Sequence, residues 1–141
     1  MSAPLLAIAG LEVRYGGIRA VKGVSFALAE REFVCLIGAN GAGKTSTLKA
    51  ICGMLGGASG SVRFAGDEVL GRKSHILARA GLALVPEGRG IFAQLTVAEN
   101  LSMGAYARSD PAVASDEERV YALFPRLAER RNQTGGTLSG G

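Results

Sequence analysis

The sequence predicts an α/β fold, in which strands and helices alternate along the chain. Two short apolar runs, residues 33–37 and 82–85, lack polar alternation and are typical of strands buried on both faces of a parallel sheet. The first run leads directly into a glycine-rich loop, and helical spacing follows over residues 46–55. A strand, a loop and a helix in this order indicate an α/β architecture.

A β-hairpin is predicted ahead of these runs. Residues 5–15 and 20–28 are β-rich, and Gly16 and Gly17 between them supply a turn. A further strand is predicted at residues 61–64, after the glycine-rich loop and its helix. The chain then turns at residues 65–67, where a glycine and an aspartate favour a tight turn.

Three more helices are predicted, over residues 74–80, from Thr96 to about residue 107, and over 116–124. Gly81 ends the first helix as its C-cap. Thr96 and Glu99 begin the second helix with the spacing of a capping box. Pro125 is expected to interrupt the third helix before a basic segment. Helical material is therefore inserted into the second half of the chain.

Size and composition predict a soluble chain. Its 141 residues are 48% hydrophobic, enough to bury a core. The net charge of +4 is not concentrated in one basic run, which favours an ordinary soluble surface over a nucleic-acid partner. Cys35 and Cys52 lie in apolar stretches and are expected to be reduced core thiols in a cytosolic protein. Neither a signal peptide nor a membrane span is predicted, so any membrane association must come through a partner.

The clearest functional motif matches G-x-x-x-x-G-K-S/T and consists of Gly38, Ala39, Asn40, Gly41, Ala42, Gly43, Lys44 and Thr45. Its glycines let successive backbone N–H groups turn inward around phosphates, and the positive end of the next helix faces the same anions. Lys44 can neutralise the β- and γ-phosphates, and the Thr45 hydroxyl can bind Mg²⁺. Ser46 follows in the same turn and is included among the nucleotide-binding candidates. The motif predicts a phosphate site, whereas a glycine-rich turn with an exposed lysine is the alternative.

A phosphate loop alone leaves kinases, GTPases and transport ATPases open. The last residues, Leu138, Ser139, Gly140 and Gly141, resemble the start of the LSGGQ-type signature of ABC ATPases, at the separation from the loop that this family shows. Taken alone, such an ending is typical of a flexible tail. Together with the phosphate loop it indicates the ABC family.

Other segments narrow the resemblance. Residues 84–92 and 95–101 resemble the Q-loop and following helix of branched-chain amino acid ABC transporters, in the shorter of their two ATP-binding subunits. Residues 123–127 and 129–131 resemble the approach to the signature in the same subunit. Urea-transport subunits carry similar blocks, so an importer of urea or amides is an alternative.

The resemblance implies a particular architecture. The expected fold is a P-loop NTPase of the ABC type, with an N-terminal β-subdomain, a partial RecA-like core and a helical subdomain. Residues 1–95 would form the phosphate-loop core, and the helical subdomain would extend from about residue 96 to residue 141. Together they would be the N-terminal part of one ABC ATP-binding domain.

The resemblance also implies roles for individual residues. Tyr15 occupies the position of an aromatic that stacks on adenine. Glu87 stands at the Q-loop position, usually glutamine, and is the candidate for a contact with Mg²⁺ or the attacking water, and the only catalytic candidate. The signature residues Ser139, Gly140 and Gly141 would cap the γ-phosphate bound by a second subunit. His75 is expected to be a surface residue, and Gln94 is out of register with the motif.

By the same resemblance, the protein is expected to be an ATPase that uses ATP and Mg²⁺ to power import of branched-chain or related hydrophobic amino acids. Its expected partners are transmembrane permease subunits, a second ABC ATPase subunit in a head-to-tail dimer and, indirectly, a solute-binding protein. Its expected place is the cytoplasmic face of the bacterial inner membrane, as a peripheral protein.

The expected catalytic parts are incomplete. In the family, the acidic Walker B strand, the catalytic glutamate and the switch histidine follow the signature, at which this sequence ends. We therefore expect a truncated form or partial reading frame that is inactive alone. A nucleotide-binding or dimerisation module without turnover stays an alternative, and so does an ABC ATPase with a task outside transport.

Overall fold

Residues 3–88 and 90–139 are described by the computed structural model, and the chain divides into two units, Met1–Leu84 and Val85–Gly141. The predicted division placed a phosphate-loop core before residue 96 and a helical subdomain after it. That functional division stays a prediction, because compactness alone assigns no role to either unit.

The first unit contains a four-stranded antiparallel sheet in the order β2-β1-β3-β4. Its strands are β1 (Leu6–Tyr15), β2 (Ile18–Leu28), β3 (Ala58–Phe64) and β4 (Asp67–Glu68). The predicted hairpin is confirmed, since Tyr15 pairs with Ile18 across Gly16 and Gly17. The predicted turn at residues 65–67 joins β3 to β4. Two helices complete the unit, α1 (Lys44–Ile51) and α2 (Ser74–Arg79).

A bulge in β1 keeps its apolar residues on one face. Ile8 and Leu11 are both buried although three positions separate them, which a regular alternation of period two forbids. The register with β2 shifts between these residues, and Gly10 lies there with a φ of 57°. The extra residue of a bulge restores the inward direction, so Leu11 and Val13 are fully buried. They face a core to which α1 contributes Ala50 and Ile51.

The prediction of strands at residues 33–37 and 82–85 is wrong in this structure. Neither segment forms a strand, and Phe33, Ile37 and Val85 are 88%, 93% and 90% exposed. A strand exists only where a neighbour accepts and donates its backbone hydrogen bonds. Among residues 3–88 and 90–139, the sheet is built from β1 to β4 alone. The two apolar runs therefore stay unpaired. Their sequence pattern is compatible with a buried strand, but a strand also requires a neighbour to pair with.

The two cysteines differ in burial. Cys52 is buried beside α1, as predicted, and burial raises the pKa of its thiol. Cys35 is exposed, so the prediction that it is a core thiol is wrong. Its burial depended on residues 33–37 forming an inner strand, which they do not.

The second unit is helical, with α3 (Val97–Gly104), α4 (Val113–Leu123), α5 (Pro125–Glu129) and a 3₁₀ turn at Gly135–Thr137. The predicted capping box is present, with Thr96 accepting from the Glu99 N–H and Glu99 accepting from the Thr96 N–H. Pro125 begins α5 instead of only ending α4, because proline is tolerated in the first turn of a helix.

The loop before α4 is fixed by charged side chains. Arg108 donates to Asp110 and, at 2.8 Å, to Asp116 on the first turn of α4. The hydrogen bond from Arg108 lowers the pKa of Asp110 to about 2. All three side chains are well exposed, so the pairs contribute little to stability. No helix in the described part of the chain is long and apolar enough to cross a membrane.

Candidate functional site

The phosphate loop lies between residues 33–37, of which all but Leu36 are exposed, and helix α1. Gly41 and Gly43 have φ values of 84° and 93°, a left-handed backbone that favours glycine. The Ala42 N–H donates to the Ala39 carbonyl at 3.0 Å and forms a tight turn between these residues. Gly43 is the N-cap of α1, so the loop delivers the chain directly to the positive end of the helix.

Gly43 also brings the loop into close contact with β2. A Cβ atom at this position would lie 2.4 Å from the Ala20 carbonyl oxygen and 3.1 Å from Val21 Cγ2. Only glycine therefore allows the end of the loop to rest against this strand. The buried Thr47 braces the same point, because its hydroxyl donates to the Gly43 carbonyl at 2.8 Å.

Lys44 folds back across the loop. Its ammonium donates to the carbonyl oxygens of Gly38 and, at 2.9 Å, of Ala39. The contact is with neutral acceptors, which phosphate oxygens can replace with a stronger charge-assisted hydrogen bond. The cation thus lies against the backbone at the start of the loop.

The residues of the loop suit a nucleotide with Mg²⁺. Thr45 is exposed on the first turn of α1, where its hydroxyl is accessible. Among the described residues, no group of three or more histidine, cysteine or acidic side chains could hold a metal alone. Mg²⁺ commonly keeps several waters and takes its other ligands from substrate phosphates, so one protein hydroxyl fits its needs. The loop and Thr45 are therefore chemically compatible with a Mg²⁺–nucleotide.

Tyr15 lies beside the same helix end. It closes β1, is 47% exposed, and its hydroxyl lies 3.1 Å from the Ser46 hydroxyl. This hydrogen bond joins two candidates that are 31 positions apart and that the sequence treated independently. The sequence around Tyr15 did not predict this hydrogen bond, because only the packing of α1 beside β1 brings the two hydroxyls together.

The remaining candidates belong to the second unit, whereas the phosphate loop belongs to the first. Glu87 and Ser139 are both exposed and lie outside helices and strands. Gly140 and Gly141, the other signature candidates, lie outside the described residues. His75 is exposed on α2, which confirms that it is a surface residue.

An apolar cavity of about 370 Å³ occurs within the second unit. Sequence reasoning did not predict it. Its lining comes from α3, from α5 and from the segments before α3 and after α5, and includes Ile91, Phe92, Leu101, Met103 and Leu127. Phe92 and Met103 remain 56% and 45% exposed, so apolar surface is open at this cavity.

Comparison with known proteins identifies close relatives in sequence. The family described as "ABC transporter" matches residues 21–141. The chain is 46% identical over 127 residues to the high-affinity branched-chain amino acid transport ATP-binding protein BraG of Pseudomonas aeruginosa, covering 90% of this chain and 54% of that relative. It is 41% identical over 101 residues to LivG of Salmonella typhimurium, of the same description, covering 72% of this chain and 40% of the relative. The chain thus spans about half the length of the curated relatives it matches.

Solved structures agree in fold. The ADP conformation of an ATP-binding cassette of an ABC transporter has a TM-score of 0.78 at 22% identity, with 99% of this chain and 60% of that chain covered. An ATP-binding subunit of an ABC transporter has a TM-score of 0.77 at 28% identity, with 96% and 56% covered. These likenesses confirm the predicted ABC-type fold, and the sequence relatives confirm the predicted resemblance. The chain belongs to the ABC transporter family.

Proposed function

We propose that this protein binds ATP with Mg²⁺ at residues 38–46, and that ATP hydrolysis in the assembled transporter powers import of branched-chain or related hydrophobic amino acids. The observation that carries the proposal is the loop itself, with left-handed glycines, a helix N-terminus and the Lys44 ammonium held at its mouth. The choice of solute is supported by the descriptions of the BraG and LivG relatives.

Different residues of the first unit bind different parts of the Mg²⁺–ATP complex. The backbone of Gly38, Ala39, Asn40, Gly41, Ala42 and Gly43 surrounds the phosphates and supplies N–H donors, and Lys44 neutralises the terminal phosphates. The Thr45 hydroxyl would be a ligand of Mg²⁺, and the ion would offset phosphate charge. Ser46 donates to a phosphate oxygen, and the Tyr15 ring stacks on adenine.

We assign the candidate residues of the second unit to the steps of the ATP cycle that involve partner subunits. Glu87 contacts Mg²⁺ or the attacking water. Ser139, Gly140 and Gly141 cap the γ-phosphate on a second ATPase subunit bound head to tail. Transmembrane permease subunits, served by a solute-binding protein, hold the ATPase at the cytoplasmic face of the bacterial inner membrane. We propose no nucleic-acid partner, since the net charge of +4 is not gathered in one basic run.

The proposal is tested with Mg²⁺ by titrating the protein with ATP and by measuring phosphate release from the ATPase assembled with its partner subunits. Binding accompanied by release above background supports the ATPase assignment. Binding without release supports a module that holds nucleotide without turning it over, and absence of binding overturns both. Uptake of leucine against uptake of urea, in vesicles that contain the partner permease, separates the amino acid importer from the urea importer.

Replacing Tyr15 with alanine is expected to weaken ATP binding by about 1 kcal/mol, the scale of an aromatic contact beyond its buried area. Tyr15→Phe keeps the ring face and loses only the exposed hydrogen bond to Ser46, so its affinity should stay close to that of the wild type. Fluorescence titration with ATP measures both. A large loss with phenylalanine would show that the hydroxyl carries the contact and that stacking does not.

A further inference from the structure

Two distant segments of the second unit are joined by consecutive backbone hydrogen bonds. The loop at residues 91–96 follows the region of Glu87, and residues 131–137 lead toward Ser139. The Gly135 and Gly136 N–H groups donate to the Leu95 and Ala93 carbonyls at 2.8 and 2.9 Å. The Val97 and Ala98 N–H groups donate to the Gln133 and Arg131 carbonyls at 3.0 and 2.9 Å. We call this pair of segments, residues 91–98 and 131–137, the clamp.

Asn100, on α3, hydrogen-bonds to backbone groups of residues 92–96 in the clamp. Its Oδ1 accepts from the Phe92 N–H at 2.8 Å. Its Nδ2 lies 3.0, 3.2 and 2.9 Å from the carbonyl oxygens of Phe92, Leu95 and Thr96. A side-chain amide offers an acceptor and two donors together, which matches this set of partners.

The Leu95 carbonyl connects the two halves of the clamp. It accepts from Gly135 at 2.8 Å and also lies within reach of the Asn100 amide. Gly135 is buried, and a Cβ there would lie 3.1 Å from Asn100 Nδ2. At Gly136 a Cβ would lie 2.9 Å from the Ala93 carbonyl oxygen. At Gly136 the backbone approaches this closely only because the residue is glycine, whereas a Cβ at Gly135 would press on its neighbours and force a small shift.

We propose that Asn100 is a positioning residue, which fixes the loop after Glu87 in register with the segment that leads to Ser139. A displacement of either segment is then passed to the other, because the Gly135 N–H and the Asn100 amide share the Leu95 carbonyl as their acceptor. This inference rests on the proposed function, in which Glu87 and Ser139 act at different points of the ATP cycle. Asn100 itself contacts no nucleotide.

The test compares Asn100→Asp with Ser102→Asp, an exposed position on the same helix that lies outside the clamp and gains the same charge. Aspartate keeps the acceptor for the Phe92 N–H but presents no donor to the three carbonyl oxygens. Hydrogen exchange should become at least roughly tenfold faster at the Gly135 and Gly136 amides, while amides of α4 keep their protection. Unchanged exchange at these glycines would overturn the proposal, and retained protection in α4 shows that the variant is folded.

Phosphate release by the ATPase in its assembled transporter separates positioning from general damage. Asn100→Asp should lower kcat by about tenfold and leave the affinity for ATP within twofold, because the phosphate loop belongs to the other unit. Gly136→Ala pushes on the clamp without altering Asn100 and should give the same split. A parallel loss of ATP affinity, or full kcat in both variants, would overturn the proposal. If the wild type releases no phosphate, the proposed ATPase function fails, and the exchange measurement alone decides the role of Asn100.

Discussion

Replacing Lys44 with alanine is expected to lower the affinity for ATP by roughly 10- to 100-fold, since hydrogen bonds to charged groups are worth about 1.5–3 kcal/mol. The lysine ammonium already lies at the mouth of the loop, bonded to the Gly38 and Ala39 carbonyls. Its removal leaves the backbone N–H groups to hold the terminal phosphates without a neutralising cation. Equilibrium titration with ATP measures the loss.

Lys49→Ala is the matched control for this variant. It removes the same charge from the same helix, but at the last turn of α1 and away from the loop. Lys49→Ala should cost only a few tenths of a kcal/mol of helix stability, roughly the effect of a cation near an exposed helix C-terminus. If both variants bind ATP as the wild type does, Lys44 is not part of the site. If both lose affinity equally, overall charge explains the effect and local contact does not.

Gly43→Ala is expected to destabilise the first unit by about 3 kcal/mol, because it combines two penalties. The backbone φ of 93° is unfavourable for any residue with a Cβ. The added carbon would also meet the Ala20 carbonyl oxygen at 2.4 Å, forcing the loop away from β2. Urea denaturation measures the loss, and ATP affinity should fall with it because the N-cap of α1 moves.

Gly41→Ala separates these two penalties. Gly41 has a similar φ of 84°, but a Cβ there would meet nothing within 4 Å. We therefore expect Gly41→Ala to lower the free energy of unfolding only by the conformational cost, about 1–2 kcal/mol. Equal losses for the two variants would mean that the contact with β2 does not restrain the loop.

Local sequence patterns predicted the elements whose partners lie close along the chain. The hairpin of β1 and β2 needs only the two glycines between its strands, and the capping box needs Thr96 and Glu99 three positions apart. The phosphate motif is equally local, and its left-handed glycines and helix N-terminus lie where the pattern requires them. Such features form from contacts that a short segment contains in itself.

Features that depend on distant partners could not be predicted in the same way. Residues 33–37 have the composition of an inner strand, yet no neighbouring strand pairs with them in the described part of the chain. The Tyr15–Ser46 hydrogen bond crosses 31 positions, and the Gly135 contact with Leu95 crosses from one end of the helical unit to the other. Their residue types were visible in the sequence, but their partners depend on how α1 and α3 pack.

The central claim is that residues 38–46 hold the terminal phosphates of a nucleotide. It is tested most directly by equilibrium binding of ATP, ADP and AMP to this chain in the presence of Mg²⁺. The predicted result is that ATP and ADP compete for one site, whereas AMP binds at least about tenfold more weakly, because it lacks the β-phosphate that Lys44 and the loop contact. Equal affinities for ATP and AMP would contradict the claim, because recognition would then rest on the base and sugar and not on the phosphate loop.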